Sequence, residues 1–406
     1  MKILYISTVF PRPEQNSTIY TDLAEELKNK GNEIVVVASD GSSDFEQTQL
    51  KEERGLKVLR VKTGKMYDVG IIQKGLSVVT LKFYLINAIK KYLKYESFDF
   101  ILFETPPITS ADVVKWAMKY FHCPSYLMLK DIFPQNAVDI GLMKKNGIIH
   151  NFFRYKEEQL YKVSSVIGCM SKANRKYILE HNKWIDKNKV SIFPNTKQIQ
   201  SMELISKDFT IRKKYGIPLN SIVAIYGGNM GKPQGLDFFI EIMRANKENK
   251  DIFFVLVGRG TERNNIRDFL ISENIQNAKL LDALPRQDYE KLVIESDIGL
   301  IFLSRNFSIP NFPSRILSYF EYGLPVLAAT DINTDFGDMI EASNAGYWSE
   351  AGNIESFNTN LNKLINDKKK RETMGLNGRR YLKENYSVSK SVDILNEFYN
   401  GIVVAD

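Results

Sequence analysis

Short apolar runs alternate along the chain with longer segments of helical spacing. Residues 2–7 (KILYIS) and 33–39 (EIVVVAS) are apolar runs of strand length, and residues 17–29 between them place apolar side chains at helical intervals before Gly31. Strand, helix and strand in this order predict a βαβ unit with two parallel strands. Because ligands of such sheets bind at the carboxyl ends of the strands, the turn after each predicted strand is a candidate site segment.

The same alternation runs to Asn195, is interrupted by a polar, irregular stretch, and restarts at residue 221 with SIVAIYGGN. Two such series predict an α/β fold of two Rossmann-like domains that face each other across a cleft. We assign residues 1–200 to the first domain and 201–385 to the second. The last helical segment, 386–406, is expected either to finish the second domain or to cross back to the first.

Lysine and arginine are concentrated in the first half of the chain. Residues 1–195 carry 29 Lys and Arg against 21 Asp and Glu, and the remainder carries 26 against 27, so net charges of +8 and −1 give the +7 of the whole chain. This asymmetry favours a polyanionic or anionic-membrane partner for the first half. A solubilising lysine surface is the alternative. A helix over 71–95 with interleaved lysines is consistent with an amphipathic membrane-surface helix and equally with a core-facing helix.

Several classes of protein are disfavoured by what the sequence lacks. No run reaches the ~18 apolar residues of a membrane span, so we expect a cytoplasmic protein, or one peripheral on the inner face of the cytoplasmic membrane. Basic and aromatic residues are not interleaved as in nucleic-acid-binding modules, so no nucleic-acid partner is expected. Cys123 and Cys169 lie in or beside apolar runs, and we expect buried thiols without a disulfide.

No metal or other cofactor is expected. The sequence has no D-x-D triplet, no H-x-x-x-H and no cluster of Cys and His, and its three histidines, His122, His150 and His181, stand alone. Metal-binding sequences usually show one of these patterns. If the protein binds a diphosphate that leaves during a reaction, basic side chains rather than a metal would neutralise its charge.

Three turns in the second domain combine glycines or a helix start with a basic residue. GGNMGKPQG contains Lys232, GRG contains Arg259, and Pro313-Ser314 precedes Arg315 at the start of a predicted helix of about three turns. An arginine in the first turn opposes the helix dipole, which suggests that a ligand supplies negative charge there. One glycine-rich turn alone would be equally consistent with a structural turn, but three indicate a diphosphate site.

In the first domain, polar residues follow two predicted strands. Lys130 and Asp131 end the run PSYLMLKD, and Asn195 ends VSIFPN. A lysine and a carboxylate at the carboxyl end of a parallel strand occupy the edge where catalytic groups usually lie. A structural salt bridge between Lys130 and Asp131 is the alternative. Asn195 is expected to face the cleft between the domains.

Several of these segments resemble one enzyme family. GGNMGKPQGLDFFIE, VLVGRG, LDALPRQDYEKLV and IPNFPSRILSYFEYGLPVLAATD resemble the donor-domain motifs of the family-four glycosyltransferases, whose fold is called GT-B. The N-terminal segments NSTIYTDLAEELKNKGNEIVVVAS, KDIFPQNAVDIG and IFPN fit the branch that includes the L-fucosamine transferase of O-antigen and capsule assembly. The resemblance covers nearly the whole chain. It implies that the first domain binds an acceptor and the second a nucleotide sugar.

The resemblance also implies roles for individual residues. Lys232, Arg259 and Arg315 would surround the diphosphate, Leu284 and Pro285 would lie near the base, and the loop from Asn306 to Phe312 would lie beside the donor sugar. The full set of expected donor-binding residues is Gly228, Asn229, Lys232, Arg259, Leu284, Pro285, Asn311, Ser314, Arg315 and Ser318. The expected acceptor-side residues are Lys130, Asp131 and Asn195. Of these, Asp131, Lys232 and Arg315 are the expected catalytic residues.

The chain departs from the family pattern at several of these positions. Many members carry two glutamates eight positions apart, and Pro310 and Ser318 stand at those positions here, with Glu321 as a weak substitute. Many members have Arg and Lys where this chain has Asn229 and Gln234. Others have His before the acceptor-side aspartate, where this chain has Lys130. Lys232 and Arg315 would therefore carry more of the charge on the diphosphate.

These expectations describe a retaining, metal-independent glycosyltransferase. The donor would be a nucleoside-diphosphate sugar, UDP-linked and N-acetylated, and the acceptor a growing glycan on a polyprenyl-diphosphate carrier at an anionic inner membrane surface. Two alternatives share the architecture. A UDP-sugar 2-epimerase would interconvert sugars without an acceptor, and a catalytically silent GT-B partner subunit would keep the fold after loss of the glutamate pair.

Overall fold

The computed structural model describes residues 1–15, 17–64, 71–200 and 207–403. The chain forms two compact units, one made of Met1–Gln198 with the segment that begins at Ser387, and the other of Ile199–Tyr386. Each unit is built on its own parallel sheet with helices on both faces. The two Rossmann-like domains that the sequence predicts are therefore confirmed as folds.

The first unit contains an eight-stranded sheet in the order β3-β4-β2-β1-β5-β6-β7-β8. All neighbours are parallel except β3, which pairs antiparallel with β4 at the edge. The strands are β1 Lys2–Ser7, β2 Glu33–Asp40, β3 Gln49–Glu53, β4 Leu56–Lys62, β5 Phe100–Glu104, β6 Ser125–Leu129, β7 Val166–Cys169 and β8 Val190–Ile192. Its helices are α1 Ile19–Asn29, α2 Ile71–Tyr92, α3 Ala111–Phe121, α4 Gln135–Asp139, α5 Ile148–Val163 and α6 Lys172–His181, with 3₁₀ turns at Ile108–Ser110 and Lys187–Lys189.

The second unit contains a six-stranded, all-parallel sheet in the order β11-β10-β9-β12-β13-β14. The strands are β9 Ile222–Gly227, β10 Ile252–Val257, β11 Ala278–Leu281, β12 Ile298–Phe302, β13 Val326–Thr330 and β14 Gly346–Glu350. The helices are α7 Thr210–Lys214, α8 Leu236–Ala245, α9 Arg263–Ser272, α10 Arg286–Glu295, α11 Arg315–Glu321, α12 Phe336–Ser343, α13 Ile354–Asn366 and α14 Lys368–Asn385, with a 3₁₀ turn at Lys232–Gln234.

The final helix, α15 Val388–Val403, belongs to the first unit. Phe398 packs its ring edge-on against Phe100 and Tyr126 at centroid distances of 5.4 and 5.1 Å. Ser391 shares a buried 2.7 Å hydroxyl–hydroxyl hydrogen bond with Thr196. Helix α15 therefore supplies part of the first unit's core, although the second unit lies before it in the sequence.

Strand order reverses once in each sheet, and that point locates the expected sites. In the first unit β1 lies between β2 and β5, and in the second β9 lies between β10 and β12. Where the order reverses, the loops after the two central strands diverge to opposite faces and leave a crevice at their carboxyl ends. The segments after β1, β5, β9 and β12 are thus the ones to search for a ligand site.

Two sequence predictions need correction. The helix at Arg315 spans seven residues, about two turns rather than three. The edge pair β3 and β4 was missed: β3 (QLKEE) is half exposed and carries no apolar run, whereas β4 (LKVLRVK) is largely buried and its apolar residues were a usable signal. The prediction of buried thiols is confirmed, since Cys123 and Cys169 are both free and buried. No helix in the described residues is apolar over a length that would cross a bilayer.

Candidate functional site

The loop after β9 is folded around its glycines. Gly228 has a φ of +128° and Gly235, which precedes α8, has a φ of +55°, both in the region that favours glycine. The hydroxyl of Tyr226 donates a 2.6 Å hydrogen bond to the carbonyl of Asn229 and so closes the start of the loop. Lys232 begins the 3₁₀ turn that follows, and its side chain is exposed.

The loop after β10 lies in backbone contact with this first loop. A Cβ on Gly258 would lie 1.9 Å from the carbonyl oxygen of Gly228, and a Cβ on Gly260 would lie 2.3 Å from the carbonyl carbon of Met230. The N–H of Met230 donates a 2.7 Å hydrogen bond to the carbonyl of Arg259. The two glycine-rich turns can approach this closely only because neither carries a side chain at the contact.

Arg315 brings the third segment to the same place. Its Nη2 donates a 2.6 Å hydrogen bond to Oε1 of Gln234, and its guanidinium lies 4.3 Å from the ring centroid of Tyr226. Its Nη1 is buried and has no hydrogen-bond partner. No carboxylate in the described residues pairs with Arg315, so its charge at this edge of the sheet is left for an anion.

The other cations near this edge differ in their partners. Lys232 and Arg259 are exposed, and neither forms an ion pair with a residue in the described ranges. Arg263, by contrast, pairs with Asp282 at 2.9 Å. The structure therefore brings Lys232, Arg259 and Arg315 to neighbouring loops without neutralising them, which is the arrangement that the sequence predicts for a diphosphate.

Two tyrosines beneath the first loop were missed by the sequence reasoning. The hydroxyl of Tyr319 accepts the N–H of Gly227 at 3.2 Å and donates to the carbonyl of Ile225 at 3.1 Å. The hydroxyl of Tyr289 lies 2.0 Å from where a Cβ on Gly227 would be. The one available signal was helical spacing, since Tyr319 follows Arg315 by one turn of α11 and faces the same way.

The remaining predicted donor residues are more scattered. Ser314 is exposed and caps no N–H group of α11, and Ser318 is half-buried one turn further along that helix. Leu284 and Pro285 lie just before α10. Asn311 donates a long hydrogen bond of 3.5 Å to the carbonyl of Ile309. In the described part of the chain, no hydrogen bond or ion pair joins Leu284, Pro285 or Asn311 to the glycine-rich loops.

Glu321 is misplaced as a substitute for the family's carboxylate. It is buried at the carboxyl end of α11, where Oε1 accepts the N–H of Gln200 at 3.2 Å. Helix α11 runs from the carboxyl end of β12 back to the amino end of β13, so Glu321 lies at the opposite edge of the sheet from Arg315, about 9 Å away along the helix axis. The expectation that Glu321 could take this role is wrong.

In the first unit, a buried carboxylate ends β5. Glu104 is 2% exposed, and its Oε1 accepts the N–H of Thr8 at 3.0 Å, while its Oε2 is buried without a partner. Burial raises the pKa of Glu104 to about 7. The sequence reasoning missed this residue, although a single acidic residue at the end of the apolar run FILFE was a usable signal.

Lys130 follows the neighbouring strand β6. Its Nζ donates to the carbonyls of Phe193 and Pro194 at 3.4 and 3.3 Å. Burial lowers the pKa of Lys130 to about 7, and the carboxylate of Glu104 opposes that shift. Lys130 forms no ion pair with Asp131 or with any other carboxylate in the described ranges, so the salt-bridge interpretation is wrong.

Asp131 and Asn195 complete this edge. Both carboxylate oxygens of Asp131 accept from Nδ2 of Asn136 at 2.7 Å, and burial raises the pKa of Asp131 to about 6. Asn195 is 5% exposed, its Nδ2 lies 3.5 Å from Sδ of Met170, and its Oδ1 is buried without a partner. Unsatisfied oxygens on Glu104 and Asn195 can accept hydrogen bonds from the hydroxyl groups of a ligand.

Among the described residues, no group of three or more His, Cys, Asp and Glu side chains is arranged to hold a metal ion. Two sets of side chains remain as candidates for chemistry. One is the basic set near the glycine-rich loops, and the other is the polar set after β5 and β6. The first set suits an anion, and the second suits hydroxyl groups and an exchangeable proton.

Residues 207–381 match the family model described as glycosyl transferases group 1. An uncharacterized glycosyltransferase of Methanocaldococcus jannaschii is 20% identical over 263 residues, which cover 64% of each chain. A protein of Escherichia coli named for colanic acid biosynthesis, the glycosyl transferase WcaI, is 23% identical over 179 residues, 43% of this chain and 41% of WcaI. The chain spans less than two thirds of the length of these relatives.

Solved structures match nearly the whole chain. A sucrose-phosphate synthase from Thermosynechococcus elongatus has a TM-score of 0.77 at 13% identity, with 100% of both chains covered. HepE of Anabaena, in complex with UDP and glucose, has a TM-score of 0.70 at 14% identity, with 99% of this chain and 100% of HepE covered. The GT-B type of α/β fold is thereby confirmed, and the family model together with the curated relatives supports the predicted enzyme class, a glycosyltransferase.

Proposed function

We propose that the protein is a retaining, metal-independent glycosyltransferase that moves a sugar from a nucleoside-diphosphate donor to a lipid-linked glycan acceptor. One observation carries the donor half of this proposal. Arg315 has no carboxylate partner, keeps a buried Nη1 without a hydrogen bond, and lies where three loops of the matched range 207–381 meet. A buried cationic donor left unpaired is costly unless a ligand completes it.

The diphosphate is the group that best completes this site. Backbone N–H groups of the glycine-rich turns can approach its oxygens closely, and Lys232, Arg259 and Arg315 offset its charge. As the bond to the sugar breaks, negative charge develops on the leaving diphosphate, so these cations bind the transition state more tightly than the ground state. This role needs no metal, because side-chain cations carry the compensating charge.

The polar edge of the first unit is proposed to hold the acceptor. Asp131 and Asn195 would orient the acceptor by accepting hydrogen bonds from its hydroxyl groups. Glu104 adds a carboxylate whose Oε2 is free to accept a hydrogen bond, and Lys130 is a donor whose charge depends on pH near neutrality. Groups with pKa values close to the working pH are suited to hold or pass the proton that the acceptor hydroxyl loses.

The proposed identity of the donor rests on resemblance, since no contact with a donor is present. The segments GGNMGK and PSR resemble the L-fucosamine transferase branch, which makes UDP-linked N-acetylated sugars the first donors to test. HepE, a protein of the same fold, is described in complex with UDP. WcaI is named for colanic acid biosynthesis, which supports a place in the assembly of a surface polysaccharide such as O-antigen or capsule. A glycan on a polyprenyl-diphosphate carrier is the corresponding acceptor, and it would place the enzyme at the inner face of the cytoplasmic membrane.

Ligand binding and turnover test the proposal in two steps. Thermal unfolding of the full chain with UDP, GDP, CMP and their sugar conjugates should show a rise in Tm for one nucleotide family, because a ligand that binds only the folded form stabilises it. Incubation of that donor with an acceptor glycoside should give a product with the donor's anomeric configuration by proton NMR. An inverted product would contradict the retaining reaction. Interconversion of the donor sugar without acceptor would favour an epimerase, and binding without any turnover a silent partner subunit.

A further inference from the structure

Helix α5 turns large apolar side chains toward solvent. Ile148 is 91% exposed, Ile149 64%, Phe152 49% and Tyr155 58%. Ile148, Phe152 and Tyr155 follow one another at intervals of four and three residues, so they share one face of the helix, with Ile149 beside them. Leu142, in the segment before the helix, is 67% exposed. We call these five residues the α5 apolar surface.

The same helix has a separate face for the core. Glu157, Leu160 and Tyr161 are buried, and the hydroxyl of Tyr161 donates to Oε1 of Glu157 at 2.7 Å. His150 is also buried. The helix is thus held in place by its inner face, and the α5 apolar surface is not needed for packing against the sheet. A contiguous apolar surface of this kind on a folded protein usually marks a contact with a membrane or another protein.

The charged residues within the segment that carries the α5 apolar surface are all basic, and two of them, Arg154 and Lys156, pair with Glu157 and Asp112. Residues 140–156 include four Lys and Arg and no Asp or Glu. Lys144 and Lys145 are exposed in the turn between Leu142 and Ile148. Apolar side chains that emerge among lysines are typical of segments that lie in the interface of an anionic bilayer, where the lysines meet the phosphates and the apolar groups enter the acyl boundary.

Helix α2 lies near α5 and also exposes apolar side chains. Asp112 of α3 forms ion pairs with Lys82 of α2 at 3.3 Å and with Lys156 of α5 at 3.2 Å. Both α2 and α5 therefore lie close to the start of α3. The residues after Lys82, Phe83 and Tyr84, are 58% and 48% exposed. Exposed aromatic side chains beside a lysine on α2 match the preference of aromatic rings for the membrane–water interface.

We propose that the α5 apolar surface, with Lys144 and Lys145, docks the first unit on an anionic lipid bilayer. From the sequence, the basic first half and the lysines of α2 suggested such a contact, but the side chains that would enter the bilayer lie on α5 and in the segment before it. A second copy of the chain is a weaker match for the surface, since two copies would bring the lysines of both together. The inference rests on the proposed function in one respect, because a polyprenyl-linked acceptor is presented at a membrane.

Vesicle sedimentation without any substrate tests the surface by itself. The full chain should bind vesicles of phosphatidylcholine mixed with phosphatidylglycerol and bind phosphatidylcholine alone much more weakly. The double variant Ile148→Ser/Phe152→Ser should bind the mixed vesicles at least about tenfold more weakly, since each lost apolar group removes buried area. Lys144→Glu/Lys145→Glu should lose binding to the mixed vesicles. Neither low nor high salt should restore that binding.

The control is Ile271→Ser/Leu376→Ser, which removes two exposed apolar side chains, 72% and 57% exposed, from the second unit and should leave vesicle binding unchanged. Equal Tm values for all variants would show that folding is intact. Binding by Ile148→Ser/Phe152→Ser equal to that of the unaltered chain, or no binding by the unaltered chain, would overturn the proposal. So would a dimer by light scattering that this variant dissociates. Turnover with a soluble acceptor glycoside reports on the transferase separately, so failure of one proposal is not failure of the other.

Discussion

Arg315 and Gln234 are joined by a 2.6 Å hydrogen bond, although 81 residues separate them in the chain. The bond ties the first residue of α11 to the loop after β9. Since that loop also contacts the loop after β10 through Gly228 and Gly258, one guanidinium stabilises the relative position of three loops. Its unpaired Nη1 is then held at a fixed place for a ligand.

Replacement of Arg315 by alanine should weaken the binding of the nucleoside diphosphate and slow turnover. By comparison with the loss of one preorganised electrostatic donor, we expect a loss of about 2–4 kcal/mol in transition-state stabilisation, roughly 30-fold to 1,000-fold in kcat/KM. The matched control is Arg267→Ala, which removes an exposed arginine from α9. Unchanged turnover in Arg315→Ala with a cognate donor would show that the diphosphate is bound elsewhere.

Gly258→Ala should disrupt the two glycine-rich loops of the second unit. The new methyl group would meet the carbonyl oxygen of Gly228 at 1.9 Å, and the φ of +148° at this position is unfavourable for alanine. We expect a loss of about 1–3 kcal/mol in the free energy of unfolding and weaker nucleotide binding. Gly31→Ala has a φ of +84° but open space around the new Cβ, so it separates backbone strain from the clash. Both quantities follow from urea unfolding with and without nucleotide.

Tyr319→Phe should destabilise the second unit by about 1–3 kcal/mol. The substitution leaves the buried N–H of Gly227 without its acceptor and the carbonyl of Ile225 without its donor, while the ring remains. Tyr95→Phe is the control, because that side chain is 92% exposed and should change the free energy of unfolding little. Equal stabilities of the two variants would mean that the Tyr319 hydroxyl bonds contribute nothing measurable.

Glu104→Gln should change how stability depends on pH. The pKa of Glu104 is raised from 4.5 to about 7, so folding favours its protonated form. The stabilisation from this shift is complete below pH 4.5 and is lost as the pH rises through about 7, by an amount of the order of 3 kcal/mol. The unaltered chain should therefore lose stability relative to Glu104→Gln across this window. A difference that stays constant from pH 4.5 to 8 would show that Glu104 does not titrate there.

Lys130→Met should change the pH dependence of stability in the opposite direction to Glu104→Gln. The pKa of Lys130 is lowered from 10.5 to about 7, so its contribution to stability is present above pH 10.5 and is lost as the pH falls through about 7. The variant should gain stability relative to the unaltered chain as the pH falls from 10 to 7. Urea unfolding across this range measures both effects, and equal slopes for the two variants would contradict the assignment.

Asp131→Asn should affect the acceptor and spare the donor. Nδ2 of Asn136 donates to both carboxylate oxygens of Asp131 at 2.7 Å, which fixes the orientation of the carboxylate. We expect a fall in kcat/KM for the acceptor of roughly 10²-fold to 10⁴-fold if Asp131 takes part in proton transfer, with the Kd of the nucleotide unchanged. Asp393→Asn, on the exposed side of α15, is the control. A raised Kd for the nucleotide in Asp131→Asn would place this residue on the donor side instead.

The sequence was most informative where both faces of a strand are buried or where backbone approaches backbone. β10 (IFFVLV) is buried along its whole length, so its apolar run was unambiguous. The glycines of the loops after β9 and β10 were informative for a similar reason, since only glycine permits the contact between Gly228 and Gly258. The parallel architecture and the convergence of the glycine-rich loops could therefore be predicted, whereas the diphosphate site stays a prediction.

Other features depend on which strands become neighbours, and no local pattern encodes that order. Gln234 and Arg315 meet because β9 lies beside β12. Glu104 becomes buried because the segment after β1 covers the end of β5, where Thr8 donates to it. Glu321 looked suitable by sequence distance, but the direction of α11 carries it to the other edge of the sheet. The catalytic and substrate-binding roles of the named residues remain predictions.

The first unit is completed by a segment that follows the second unit in the chain. The first unit takes part of its core from α15, through Phe398 against Phe100 and Tyr126, whereas the second unit is one continuous segment. A chain cut after Tyr386 would therefore contain the whole second unit but lack the helix that completes the core of the first. In such a chain Phe100 and Tyr126 of the first unit would lack the ring of Phe398 that packs against them.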